Sequence, residues 1–322
     1  MSANLAWGCP VVVREALIKT IGSNFLPSSP DLGSMGYPPH FGTEKLITQL
    51  KFMAERQSGV NPKHLFVTCG ATGAINAAIY ALKTSRTDWI VTDNRYYPMY
   101  PKIVNLTDMI MVDSLKKTAL VREGCSEPNF ISLSASPSNP EGLVCPFESL
   151  DIWDAAYASR VYTEGNSHIP ERWRIMCGSV GKSLGLAGLR LGWVSTNEDL
   201  LANSLQNYIL ASYVGLSSSS MQIAEDILGG TNLDKFEVLA SNYINDNREE
   251  VQKLLTKFGQ GSVPVRGMFT VLELGKAESK ALLKAKIKWQ PGSSWGEHDG
   301  WARLSLGQNR EITRKAVRAA LK

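Results

Sequence analysis

Short apolar runs that stop at glycine or polar residues alternate with helical patterns over much of the chain. The runs HLFVTCG, DWIVTDNRYYP and FISLSASPSNP are typical of strands that lead into turns, and ATGAINAAIYALKTS is typical of an alanine-rich helix. Two more short apolar runs, SLDIWDAAY and RWRIMCGSVG, follow. Strands that alternate with helices predict an α/β fold in which a mostly parallel sheet lies between helices. Ligands of such folds bind at the carboxyl ends of the strands.

The pattern changes after Ser220. Two helical stretches, MQIAEDIL and KFEVLASNYINDNREEVQKLLTKFG, precede strand-like runs at GMFTVLEL and WARLSL and a final helix. This tail is typical of a smaller α+β domain. We therefore predict a large domain over residues 36–236 and a small domain formed by residues 1–35 and 237–322.

Composition favours a globular protein that acts on small molecules. The 322 residues are 43% hydrophobic and 20% charged, which is enough to bury a large core. The net charge of +4 is small and the basic residues are scattered, which argues against nucleic acid or a membrane surface as a partner. No segment approaches the ~20 apolar residues that span a bilayer. The first residues lack the pattern of a secretory signal.

The cysteines and histidines give no sign of a cross-link or a metal. The five cysteines are far apart and never form a CxxC pair, and the four histidines have no second ligand at helical spacing. This spacing argues against a disulfide framework and against a metal site. Because unpaired cysteines fit a reducing compartment, we expect a cytoplasmic protein.

The segment CGSVGKSLGLAGLRLGW points most directly to chemistry. Lysine readily forms imines with aldehydes, and Lys182 stands among glycines and small residues that let a ligand approach the backbone. Arg190, eight positions later, can hold a phosphate through its planar guanidinium. A nucleotide phosphate loop is excluded because it needs a glycine where Met176 stands. A solvated loop lysine is the alternative interpretation of Lys182.

A second turn suited to an anion contains Gly70, Ala71 and Thr72, between a predicted strand and a predicted helix. Backbone N–H groups and the helix dipole at such a turn can hold a phosphate. A glycine that only makes the bend fits this sequence equally well.

Further segments carry side chains suited to an aromatic cofactor. Asp154 and Tyr157 follow one apolar run three residues apart, so both are expected in one pocket. A carboxylate there can keep a pyridine nitrogen protonated and make the ring an electron sink, although a helix cap beside a packing tyrosine is the alternative. Asn139 can donate to a ring hydroxyl or simply begin a turn. Tyr97 can stack on the ring or pack in the core.

An arginine near the end of the chain can bind a carboxylate. Arg303 lies between apolar residues in the strand-like run WARLSLG. Because burying a guanidinium is costly without an anionic partner, a substrate carboxylate is a suitable partner for it.

Taken in order, these segments resemble the fold type I pyridoxal-phosphate aminotransferases over nearly the whole chain. The resemblance implies pyridoxal 5'-phosphate as the cofactor, held by Lys182 as a Schiff base. It implies the following further cofactor contacts: Tyr37, Gly70, Ala71, Thr72, Tyr97, Asn139, Asp154, Tyr157, Ser179 and Arg190. It also implies that Arg303, Gly8 and Asn139 bind the substrate. By the same resemblance Tyr37, in GYPPHFG, reaches the cofactor phosphate of the neighbouring subunit in a homodimer.

The motifs resemble more than one group within this family. KSLGLAGLRLG is similar to histidinol-phosphate aminotransferases, whereas RYYPMYP, SPSNPEG and SYVGLSSSS are similar to alliinase and plant tryptophan aminotransferases. The chain departs from the family pattern at Glu141, where threonine is usual, and at Ala155, where glutamate is usual. Neither position is a predicted cofactor contact.

The resemblance implies transfer of an amino group between an amino acid and a 2-oxo acid, with Lys182 moving the α-proton. A C–S lyase that performs β-elimination and a catalytically silent binding module on the same fold are the alternatives. Trp7, Tyr213, Trp289 and Trp295 lie near segments that line the family's pocket, which favours an aromatic or large neutral substrate. Each of these residues can equally pack in the core.

Overall fold

The computed structural model describes residues 3–6, 8–28, 36–84, 89–122, 129–145, 147–166 and 168–322. The strands in these ranges are β1 (Ala3–Asn4), β2 (His64–Cys69), β3 (Trp89–Thr92), β4 (Ile110–Asp113), β5 (Phe130–Ala135), β6 (Ser149–Asp154), β7 (Arg172–Ser179), β8 (Leu191–Thr196), β9 (Phe269–Glu273), β10 (Ile287–Lys288), β11 (Gln290–Pro291) and β12 (Trp301–Ser305). The helices are α1 (Val11–Ile21), α2 (Glu44–Ser58), α3 (Gly70–Leu82), α4 (Tyr100–Val104), α5 (Ser114–Arg122), α6 (Val180–Ser183), α7 (Asp199–Tyr213), α8 (Ser218–Gly230), α9 (Leu233–Lys257), α10 (Lys276–Lys284) and α11 (Arg310–Ala320).

In the described part of the chain, seven strands form one sheet in the order β2-β8-β7-β6-β5-β3-β4. The pairs among β7, β6, β5, β3 and β4 are parallel. Strand β8 is antiparallel to both β2 and β7, so that β2 again runs in the direction of the parallel strands. The mostly parallel sheet confirms the predicted α/β fold.

Strand β8, next to the edge strand β2, is tightly packed. Every residue of β8 is buried, and the ring of Trp193 covers Gly178 on the adjacent β7. A Cβ on Gly178 would lie 2.0 Å from the Trp193 ring, so only glycine fits there. Helix α3 packs on the same sheet through small buried residues such as Ala74 and Ala78, which let the helix approach closely.

The N-terminal segment packs with elements from the end of the chain. Strand β1 pairs in parallel with β10, and β12 lies between β9 and β11 in an antiparallel sheet. Helix α9 packs against α1 and α11. This arrangement brings Leu5 and Ala6 into hydrogen-bond contact with β12, which carries Arg303.

The carboxyl ends of the parallel strands gather at one edge of the sheet. Asp154 is the last residue of β6, Ser179 is the last of β7, and Gly70 follows β2. These three positions are far apart in the sequence, and the strand order alone brings them together. No helix in the described ranges combines the length and the apolar character needed to cross a membrane.

Candidate active site

One cavity at this sheet edge gathers the residues that the sequence singled out. Its empty volume is about 580 Å³. The predicted residues that line it are Gly70, Ala71, Thr72, Tyr97, Asn139, Asp154, Tyr157, Ser179, Lys182 and Arg190. A second opening beside it is shared by Tyr97, Asn139, Tyr157 and Lys182 and adds Gly8 and Arg303 to the site.

Lys182 lies in α6, the short helix that directly follows β7. Ser179 caps this helix, because its Oγ accepts the backbone N–H of Lys182 at 3.3 Å. The Nζ of Lys182 donates to the backbone oxygen of Gly8 and lies 5.8 Å from the centroid of the Tyr157 ring. Burial lowers the pKa of Lys182 to about 8. The amine is therefore partly neutral at physiological pH, as a nucleophile must be.

One end of the cavity is built to hold an anion. Helix α3 begins at Gly70, and no side chain caps its first N–H groups. Gly70 has a φ of +67°, which favours glycine, and a Cβ there would lie 3.2 Å from Nη2 of Arg190. The Arg190 guanidinium donates to the backbone oxygen of Ala187 at 3.2 Å, and no carboxylate of the described residues pairs with it. Uncapped N–H groups beside an arginine can hold a phosphate.

The cavity also contains the buried carboxylate of Asp154. Its Oδ1 accepts the backbone N–H of Ala156 at 3.1 Å, and its Oδ2 accepts the hydroxyl of Tyr100 at 2.9 Å. Burial raises the pKa of Asp154, while these two hydrogen bonds lower it. No cation of the described residues lies at ion-pair distance from this carboxylate. A protonated pyridine nitrogen in the cavity is a suitable counter-charge.

Two side chains can donate to a ring hydroxyl. The Oδ1 of Asn139 accepts from Nη1 of Arg303 at 2.7 Å, which directs the amide nitrogen away from the arginine. Burial raises the pKa of Tyr157, so that its hydroxyl stays protonated. The ring of Tyr97 lines the cavity between the two openings, where a cofactor ring can stack on it.

Arg303 lines the second opening and is held there by several contacts. Its Nη2 donates to the backbone oxygen of Ala6 at 2.8 Å, and its guanidinium carbon lies 4.1 Å from the centroid of the Phe269 ring. Burial lowers the pKa of Arg303 to about 10, so the side chain remains charged at neutral pH. Its Nε has no hydrogen-bond partner among the described residues. A buried charge with no carboxylate partner is suited to bind an anionic substrate group.

Gly8, the glycine predicted on the substrate side, lies next to the amine of Lys182. A Cβ at this position would lie 3.4 Å from Nζ of Lys182, 3.3 Å from the Tyr157 hydroxyl and 3.2 Å from the Phe269 ring. Any larger side chain would therefore occupy the space in front of the lysine.

Some predicted residues lie away from the cavity. Tyr37 is 89% exposed and does not line it. Trp295 is fully buried beside Arg95, and Trp289 and Tyr213 pack against hydrophobic clusters instead of lining either opening. Trp7 lies outside the described residues. Tyr213, Trp289 and Trp295, on which the preference for a large substrate partly rested, therefore do not line the cavity or the second opening.

The structure adds residues that the sequence did not single out. Phe269 and Cys9 line the second opening, and Tyr100 hydrogen-bonds to Asp154 without lining the cavity. For Tyr100, the spacing of three residues from Tyr97 was the one available signal in the sequence. The two rings are in contact edge to face at a centroid distance of 5.5 Å. Phe269 and Cys9 stand in apolar or mixed segments with no recognisable motif.

These residues fit pyridoxal phosphate. The uncapped α3 N-terminus and Arg190 suit its phosphate, the buried Asp154 suits its ring nitrogen, and Lys182 suits its aldehyde. All of these groups line one cavity.

Comparisons with known proteins agree with this geometry. A profile of the family "Aminotransferase class I and II" matches residues 12–319. The tryptophan aminotransferase-related protein 1 of Oryza sativa subsp. japonica is 28% identical over 206 residues, which is 62% of this chain and 45% of that protein. The chain thus spans about half the length of the curated relatives it matches. The predicted resemblance to tryptophan aminotransferases is in line with this match.

Solved structures with the same fold include two named aminotransferases. An archaeal alanine:glyoxylate aminotransferase has a TM-score of 0.79 at 18% identity, with 100% of this chain and 90% of that chain covered. An aromatic aminotransferase from Pyrococcus horikoshii OT3 has a TM-score of 0.77 at 16% identity, with 99% and 95% covered. At these identities the two structures bear on the fold alone.

Proposed function

The chain belongs to the class I and II aminotransferases, and we propose that it transfers an amino group from an amino acid to a 2-oxo acid with pyridoxal phosphate as cofactor. One observation carries the proposal: the Nζ of Lys182, with its pKa lowered to about 8, lies in the same cavity as the buried carboxylate of Asp154. Bound pyridoxal phosphate supplies an aldehyde that accepts the amino group and a ring that withdraws electrons from the α-carbon.

The substrate is oriented by Arg303. Its guanidinium is fixed by Asn139 and by the backbone oxygen of Ala6, so it presents a charge at a constant place. An α-carboxylate bound there would place the α-carbon next to Lys182, since both residues line the same opening. Gly8 keeps the space between them clear.

The proton is moved by the amine of Lys182. Nζ is partly neutral near pH 7 and can take the proton from the α-carbon of the substrate. The backbone oxygen of Gly8 accepts from this nitrogen and holds it on the substrate side. Lys182 is therefore both the residue that links to the aldehyde and the base.

Transfer is tested by product analysis on the cofactor-loaded protein. Amino donors are screened against pyruvate and 2-oxoglutarate, and formation of the new amino acid is measured. We expect transfer with at least one pair, and its loss in Lys182→Ala. Absence of transfer with every standard amino acid contradicts the proposal. Release of pyruvate and ammonia from a cysteine derivative, without transfer, instead identifies a C–S lyase.

An aromatic or large neutral amino acid is the proposed donor. We assign the second opening to the substrate. Among the described residues, it carries no charged side chain besides Lys182 and Arg303, and its wall includes Phe269, Tyr97 and Tyr157. This surface suits an apolar side chain better than a second carboxylate. The donor screen tests this preference directly.

The protein is proposed to act as a homodimer in the cytoplasm. Tyr37 is exposed and lies outside its own cavity, which supports a role toward the cofactor phosphate of a neighbouring subunit. Cys9, Cys69, Cys145 and Cys177 are unpaired, which supports a reducing compartment. Residues 36–236 are proposed as the large domain and residues 1–35 with 237–322 as the small domain, supported by the pairing of β1 with β10.

A further inference from the structure

Tyr100 is a buried tyrosine that touches two parts of the site without lining the cavity. It begins α4, directly after the turn that carries Tyr97, and is 1% exposed. Its hydroxyl donates to Oδ2 of Asp154 at 2.9 Å, and its ring meets that of Tyr97 edge to face at an interplanar angle of 88°. Tyr100 therefore contacts both Asp154 and Tyr97 on the side that faces away from the cavity.

The hydrogen bond from Tyr100 completes a clamp on the carboxylate of Asp154. The backbone N–H of Ala156 binds Oδ1 and the Tyr100 hydroxyl binds Oδ2, so each oxygen has one donor. Rotation of the carboxylate would break both bonds at once. Both donors are neutral, so they fix the direction of the carboxylate without neutralising its charge.

We propose that Tyr100 is a positioning residue that holds Asp154 against the cofactor's ring nitrogen and keeps the shared proton on that nitrogen. This inference rests on the proposed function, because it assumes that pyridoxal phosphate occupies the cavity. A donor on Oδ2 stabilises the charged carboxylate and so makes Asp154 a weaker competitor for the proton. Without the donor, the proton shifts towards Asp154 and the ring loses electron-withdrawing power.

The test uses Tyr100→Phe in the cofactor-loaded protein, which keeps the ring and removes the hydroxyl. The cofactor is isotope-labelled at its ring nitrogen, and the nitrogen NMR resonance reports whether that atom is protonated. We expect the resonance of Tyr100→Phe to move towards that of a neutral pyridine. We also expect a roughly tenfold fall in kcat with little change in KM, because a hydrogen bond to a charged group has about this effect.

Tyr162→Phe is the matched control. Tyr162 is also 1% exposed, and its hydroxyl donates to the backbone oxygen of Lys182 at 2.8 Å. Like Tyr100→Phe, this substitution removes one buried tyrosine hydroxyl near the cavity. The hydroxyl of Tyr162, however, does not contact Asp154. We expect a comparable loss of thermal stability and an unchanged ring-nitrogen resonance.

Several outcomes overturn the proposal. An unshifted resonance in Tyr100→Phe, or an equal shift in Tyr162→Phe, contradicts a specific role for Tyr100. If Tyr100→Phe does not fold, a ring-fluorinated tyrosine is placed at position 100. Its more acidic hydroxyl should keep the resonance at that of a protonated pyridine, and a shift towards the neutral pyridine contradicts the proposal. Unmodified protein that takes up no cofactor contradicts the proposed function instead, before any variant is made.

Discussion

The lowered pKa of Lys182 makes a quantitative prediction for cofactor-free protein. With a pKa of about 8, about one tenth of the Lys182 amine is neutral at pH 7, against about 0.03% for an ordinary lysine with a value of 10.5. The neutral fraction of Lys182 at pH 7 is thus roughly 300-fold larger than that of an ordinary lysine, and since only the neutral amine attacks, the rate at which Lys182 reacts with a small aldehyde or acylating reagent should follow this fraction as the pH changes.

Competitive labelling followed by mass spectrometry measures this rate residue by residue. The reaction is run from pH 6 to pH 11 under native conditions, and exposed lysines such as Lys280 serve as internal references. The rate at Lys182 should level off just above pH 8. A rate that keeps rising to about pH 10.5 would refute the argument that burial suppresses the charged form.

The same pKa predicts how stability depends on pH. The folded protein releases the Lys182 proton near pH 8, whereas the unfolded chain keeps it to about pH 10.5. The unfolded state therefore binds more protons in this window, and the free energy of unfolding should rise with pH across it, by at most about 3 kcal/mol. Urea unfolding of Lys182→Met should lack this rise, and an equal rise in that variant contradicts the reasoning.

Two substitutions test other parts of the site, and a third tests a contact outside both openings. Arg190→Leu removes a guanidinium that no carboxylate of the described residues neutralises, and spectroscopic titration should show cofactor affinity falling about 10-fold to 100-fold; unchanged affinity contradicts a phosphate role. Gly8→Ala places a methyl group 3.4 Å from Nζ of Lys182, so steady-state kinetics should show a higher KM and lower kcat for the donor; kinetics like those of the unmodified protein would count against Gly8 as a substrate-side residue. Arg95→Ala removes a hydrogen bond to Glu297 at 2.8 Å, so amide exchange should become faster over residues 292–300 and stay unchanged in α3; equal exchange in the variant and the unmodified protein would show that this hydrogen bond does not hold residues 292–300 in place.

Much of the fold was predictable because the signals are local. The run before Gly70 and the alanine-rich stretch after it have periods that distinguish strand from helix, and β2 and α3 lie there. The segment around Lys182 carries its lysine, its capping serine and its arginine within twelve residues, from Ser179 to Arg190. Such contiguous motifs keep their geometry because one turn and one short helix determine it.

Other features depend on pairing between distant segments, which periodicity does not encode. The direction of β8 is an example, because LGWVST is buried on both faces and would look the same in a parallel strand. The positions of Trp295 and Trp289 in the chain predict that they lie near the pocket. In the fold, Trp295 is fully buried and Trp289 is partly buried against the hydrophobic core.

The contact between Tyr100 and Asp154 shows the same limit within the site. The two residues are 54 positions apart, and only the order of β3, β5 and β6 in the sheet brings them together. The sequence shows Arg303 as a charge among apolar residues, but its neighbour Phe269 comes from the pairing of β9 with β12, and Ala6 comes from the packing of the N-terminal segment on β12. The sequence motifs thus indicate Asp154 and Arg303, whereas the residues that contact them are set by the order and packing of the strands.

The most direct test of the central claim is to trap the cofactor on its lysine. Protein loaded with pyridoxal phosphate is reduced with borohydride, digested, and mapped by mass spectrometry. The account predicts one reduced pyridoxyl adduct, on Lys182, and a loss of visible absorbance in Lys182→Ala. An adduct on another lysine, or no adduct with the colour unchanged, would contradict it.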